Sequence, residues 1–181
     1  MRRHSTAATL AFITLCSLAG MGGTGAAAAK QDDVALVVCT GTADQSYSPP
    51  LSTTTRSTHI TSTHAYPSCL DVGTDPQNPP VTSAGTTLDY TTDANCLVAP
   101  PVTHPPLDIE WSNGQHSYAT LTTVVTRSTG STIVTSVGTI GSGLFAGHVI
   151  HEVVVYPSLD IVGCLTTGVT DVSGVTTLEV V

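Results

Sequence analysis

From Val34 onward, runs of Val, Ile and Thr are cut at short intervals by Gly, Pro and Asn-Gly, and no stretch reads as an amphipathic helix. β-branched side chains lose freedom against a helical turn but sit well on a pleated surface, so such runs read as short strands at regular spacing. A chain of this kind buries its apolar surface either by stacking two sheets or by closing one sheet on itself.

The first run, Val34 to Thr42, is apolar on both faces, as expected of a strand buried on both sides or central in its sheet; it continues through Tyr47 until Pro49-Pro50 breaks it. Leu51 to His64 is nearly all Thr and Ser, with Ile60 its one large apolar residue past Leu51, and reads as an outer or edge strand. A short strand over Thr87 to Leu97 lies between two proline-rich loops, 72–86 and 99–106. Leu107, Ile109 and Trp111 alternate with Asp108 and Glu110, a half-buried strand at period two. Asn113-Gly114 predicts a tight hairpin turn with positive φ at both central positions. The partner strand runs from His116 to Thr126, and Gly130 turns the chain into Thr132 to Ile140. A glycine-rich reversal over 141–147 leads to Val149–Tyr156, ended by Pro157, and a loop around Cys164 precedes a last strand from Val175 to Val181. The expected fold is all-β: an antiparallel two-sheet β-sandwich with a meander-rich second half, the proline-rich loops carrying strands between sheets. A closed small β-barrel is the alternative.

Four of these pieces form a pattern: C-T-G-T at Cys39 to Thr42, Y-S-P at Tyr47 to Pro49, W-x-N-G-Q at Trp111 to Gln115 and G-L-F-A-G at Gly143 to Gly147. In carrying them the chain resembles a group of small secreted actinobacterial proteins of uncharacterised function. The resemblance spans most of the chain past the leader and implies the β fold and the cysteine framework. It implies no activity.

The N-terminus reads as an export signal. Arg2 and Arg3 precede an uncharged, mostly apolar run, Thr9 to Gly20, and small residues ending Ala26 to Ala29 supply the A-x-A pattern of signal peptidase. The run is shorter than the ~20 apolar residues that span a bilayer. Cys16 lies inside it and follows Leu15 rather than a small residue, which disfavours a lipid anchor. Residues 1–29 are therefore expected to be a cleaved signal peptide and 30–181 a single secreted, extracellular β domain. An oxidising compartment suits the four cysteines that remain, Cys39, Cys69, Cys96 and Cys164, as two disulfides. Three pairings are open to them; Cys39–Cys69 with Cys96–Cys164 is preferred because it ties non-local strands within each half.

Past the leader, Lys30, Arg56 and Arg127 are the basic residues against thirteen acidic ones. Such a chain is not expected to track a phosphate backbone or to dock on anionic lipid, so neither nucleic acid nor stable membrane insertion is expected. No cofactor and no catalytic, cofactor-binding or metal-ligating residue is assigned. His148-Val-Ile-His151-Glu152 lacks the helical H-E-x-x-H spacing of zinc proteases, and His59 and His64 fall on opposite faces of a strand. His104, among prolines, and His116, just past the hairpin, are expected to face solvent. There is no G-x-S-x-G elbow, and Glu110 and Glu152 are the strand-borne carboxylates available to a hydrolase, with Glu110 expected to face water. Aromatics are 4% of the chain, few for a glycan platform, and Trp111 on the apolar face reads as core. The expectation is a non-catalytic extracellular module that binds a glycan, such as cell wall, or a protein. A secreted protease inhibitor and a hydrolase are the alternatives, although the C-x-P-x-x-x-G-x-H-P segment of actinobacterial subtilisin inhibitors is missing.

Overall fold

The computed structural model describes residues 36–73, 79–128 and 130–181; the expected leader, its cleavage point and Cys16 lie outside the described residues. Eight strands form the fold: β1 (Val37–Leu51), β2 (Arg56–Asp71), β3 (Ala84–Ala94), β4 (Pro106–Trp111), β5 (His116–Ser128), β6 (Ser131–Gly143), β7 (Val149–Pro157) and β8 (Val169–Val180). One short helix, α1 (Ile161–Leu165), lies between β7 and β8, with Asp160 capping its N-terminus through Val162 N–H.

The strands form a closed antiparallel barrel in sequence order. The all-β class is as the sequence implies, and the architecture is the closed barrel, the alternative, in place of the two-sheet sandwich. Each strand hydrogen-bonds to its neighbours in sequence, and β8 returns to β1, with Val37 opposite Val180 and Cys39 opposite Leu178. The proline-rich segments do not move strands between sheets. They join adjacent strands of the same sheet, and closure removes both edges.

Alternation decides what fills the lumen. β4 is buried at Leu107, Ile109 and Trp111 and exposed between them. One end of the barrel is packed with these side chains together with Leu121, Ile140 and Leu178; the other is closed by Leu51, Ala94, Cys96, Cys164 and Val169. Trp111 is 2% exposed, donates its indole N–H to Ser117 Oγ at 2.8 Å and meets Phe145 edge-on at 5.3 Å between ring centroids. Phe145 is held at φ 60° within the G-L-F-A-G reversal. The disulfides are Cys39–Cys69, bridging directly opposed residues of β1 and β2, and Cys96–Cys164, joining the segment after β3 to α1.

Local expectations change at several points: β8 begins at Val169 and not Val175, and the expected loop around Cys164 holds α1. Pro49-Pro50 does not end β1, which runs to Leu51; the prolines sit where the ladder to β8 is interrupted, between Ser46 and Leu51, so no bond needs their missing N–H. At the β4–β5 turn only Gly114 is left-handed, at φ 78°, while Trp111 N–H bonds Gln115 O across a three-residue loop. That is a type I turn closed by glycine in place of the two-residue turn. Finally, β2 is neither outer nor edge, since it pairs along its length with β1 and β3.

The wall is thinnest between β3 and β4, whose register covers Ala84–Trp111, Gly85–Glu110 and Thr86–Ile109 and then stops. Beyond that point β5 is partnered by the 103–105 segment, through Thr103 with Thr123 and Pro105 O with Leu121 N–H. Among the described residues no helix is long and apolar enough to cross a membrane.

Candidate functional site

Between the two apolar ends the lumen is polar. Its centre is built from β2 and β7, which face each other across the barrel. On β2 the period-two rule sends Thr58, Ile60, Ser62, His64 and Tyr66 inward, and on β7 it sends Ile150, Glu152, Val154 and Tyr156.

His64 links the two strands. Its Nε2 lies 2.7 Å from Ser62 Oγ and its Nδ1 lies 2.6 Å from Glu152 Oε1. Tyr66 donates its hydroxyl to the same carboxylate oxygen at 2.5 Å and lies 3.3 Å from Thr176 Oγ1. Tyr156 OH is 3.4 Å from Ser62 Oγ. The His64 and Glu152 side chains are 2% and 1% exposed. With Nδ1–H donating to Glu152, a neutral ring presents Nε2 as acceptor to the Ser62 hydroxyl. Isolated ionisable groups are costly to bury; here each is met by hydrogen-bonding partners within the cluster.

Beside the cluster is a space of about 50 Å³, bordered by Ser62, His64, Leu88, Tyr90, Ser136 and Tyr156. That holds a few waters or a molecule of a few heavy atoms, being smaller than the ~150 Å³ cavity that admits benzene. Pro100 and Pro105 line it on the side of the thin β3–β4 wall, and Ser62 pairs with Leu88 on β3 next to that wall. Arg127 anchors the covering segment by donating to Asn95 O at 2.9 Å and Val98 O at 2.8 Å.

Burial pushes the phenol groups of Tyr47, Tyr66, Tyr90 and Tyr156 upward, Tyr90 to about 12, and the Glu152 charge adds to the rise for Tyr66, Tyr90 and Tyr156. A group raised in the folded state holds its proton longer there than in the unfolded chain. Its contribution is complete below the ordinary phenol value near 10 and is lost as pH climbs through 12 and above. Stability should therefore fall with pH from about 10 upward, and tyrosinate absorbance should appear for these four rings together with unfolding. Gradual ionisation of all of them in the intact fold would contradict this burial.

Of the residues singled out in the sequence, the four cysteines pair as preferred. Glu110 is exposed on the outer wall, whereas Glu152 is buried in the lumen. His59 and His64 do lie on opposite faces, His59 outside at 3.3 Å from Asp89. His104 is exposed, and His116 lies on the outer face 2.8 Å from Asp108, a bond that raises its pKa, with its ring stacked on Tyr118. His148 immediately precedes β7 and His151 lies on it, and neither is on a helix. Among the described residues no group of three His, Cys, Asp or Glu is placed to hold a metal ion.

Ser62, His64 and Tyr66 were not legible as a site, because threonine and serine fill both faces of their strand. The available signal was parity: Ile60, His64 and Tyr66 fall on one face of the strand, with His59 on the other. Comparison with known proteins gives no match to a family model, a curated protein or a solved structure.

Proposed function

We propose that this is a secreted binding module that works through its lumen, taking up a small molecule with a hydrogen-bonding group beside Ser62, His64 and Glu152. The observation that carries the reading is a buried polar cluster next to unfilled space in a barrel otherwise closed by apolar side chains. A wall-glycan platform has less support: Trp111 is core, and the most exposed aromatic among the described residues is Tyr118, 47% exposed. The hydrolase alternative gains from Glu152, a strand-borne carboxylate aimed into the lumen.

Amide and methyl NMR of the protein titrated with short alcohols, amides and esters of up to about six heavy atoms tests this reading. Perturbations should gather on Ser62, His64, Leu88 and Tyr156. Their absence there, or their confinement to outer-wall residues such as Val153 and Val175, would refute lumenal binding.

Secretion rests on the leader pattern and on the paired cysteines. The intact mass of protein from culture supernatant should equal residues 30–181 less the four hydrogens of two disulfides. A retained leader, a lipid adduct or a free thiol would count against it.

A further inference from the structure

We propose that Ser62 is a nucleophile for acyl transfer, with His64 as its base, Glu152 and Tyr66 positioning the imidazole, and a small ester of a short acyl chain as substrate. The inference rests on the lumenal reading above and gives that site a chemistry.

The connectivity is what carries it. A serine hydroxyl is a weak nucleophile until a neighbouring base takes its proton, and an imidazole does so best when its other nitrogen is held by a carboxylate. Ser62 Oγ faces Nε2 at 2.7 Å and Glu152 Oε1 faces Nδ1 at 2.6 Å, so hydroxyl, imidazole and carboxylate stand in that order. Tyr66 fixes Glu152 from a second direction. A purely structural polar core needs satisfied partners but not this order, and it needs no space at the hydroxyl. Here Ser62, His64 and Tyr156 all border the cavity.

Charge developing on a carbonyl oxygen also needs a donor. Ser62 lies in the β2 register with both β1 and β3, so the strand backbone is committed to the sheet. The hydroxyl of Tyr156, 3.4 Å from Ser62 Oγ, is a side-chain donor beside the nucleophile. The cavity matches an acetyl-sized group lying against Leu88 and Val154. The leaving group would project toward the thin wall between β3 and the 103–105 segment.

In the first step Ser62 Oγ bonds to the carbonyl carbon, the carbonyl π pair moves onto oxygen beside Tyr156, and the Ser62 proton passes to His64 Nε2. Collapse breaks the bond to the alkoxy group, which leaves as the alcohol with the proton from Nε2, and Ser62 is acylated. Water, deprotonated by His64, attacks the acyl-Ser62 in the same way and releases the carboxylic acid. Ester and water are consumed, alcohol and acid are formed, and no oxidant or reductant takes part.

The test is to incubate the folded, oxidised protein with vinyl acetate, an ester of six heavy atoms, follow acetaldehyde release and map acetyl groups by peptide mass spectrometry. An acetyl group on Ser62, with release falling at least ~100-fold in Ser62→Ala, is the expected result. The fold of the variant is checked by the fluorescence of Trp111, which lies in the apolar end of the barrel. If Ser62→Ala does not fold, the site of acetylation in the native chain decides alone. Absence of acetyl-Ser62, or release that is unchanged in a folded Ser62→Ala, overturns the proposal. Small esters perturbing the lumen by NMR without acylating Ser62 would sink acyl transfer and leave lumenal binding standing; no perturbation and no acylation would sink both.

Discussion

Trp111→Ala should lower stability by about 3–5 kcal/mol, a large part of the margin of a domain this size, and could leave it unfolded at 37 °C. The ring is 2% exposed, packs against Phe145 and donates to Ser117 Oγ, which in turn donates to Leu144 O at 2.5 Å. Truncation removes the ring contacts, opens a cavity, and takes away the acceptor's donor partner at Ser117. It also removes the edge-on ring contact from Phe145, whose backbone sits at φ 60°. Urea denaturation of wild type and variant measures the difference. A change under about 1 kcal/mol would mean that the indole is not part of the core.

Glu152→Ala should cost about 1–3 kcal/mol for each of two buried donors left without an acceptor. It strands His64 Nδ1–H and the Tyr66 hydroxyl in the lumen with their shared acceptor gone. Glu152→Gln keeps the shape and one carbonyl acceptor, and should cost less, about 1–3 kcal/mol. Replacing His64 and Glu152 together by leucine should recover part of the loss, because replacing both partners of a buried hydrogen bond by apolar groups can be nearly neutral. Equal stability of Glu152→Ala and wild type would remove the case for the cluster.

Strand positions were readable where one face is apolar and the other polar. Leu107, Ile109 and Trp111 give β4 almost to the residue, and the runs after Gly130 and before Pro157 give β6 and β7. Closure was harder to read, because alternating neighbours suit a sandwich and a barrel alike; what separates them is the pairing of β1 with β8, a contact between strands far apart in sequence. The cluster was hidden for a related reason. Glu152 reads from sequence as a strand-borne acid, yet its partners stand 86 and 88 residues away on β2. In that strand a lumen-facing serine and an outward threonine look the same until the register is known.

The β1–β8 ladder also dictates an order of assembly. Hairpins from β4 to β7 join residues close in sequence and should form early, and the Cys39–Cys69 bridge spans a separation of only 30. Val37 cannot meet Val180, nor Cys39 meet Leu178, until the last strand has been delivered. Ring closure across nearly the whole described chain is the slow kind of contact, because its entropic cost precedes its reward. Until then, the outward backbone groups of β1 and β7 stand open as pairing surfaces for another chain. The vulnerable interval for this protein should thus be the one between pairing of β7 and docking of β8.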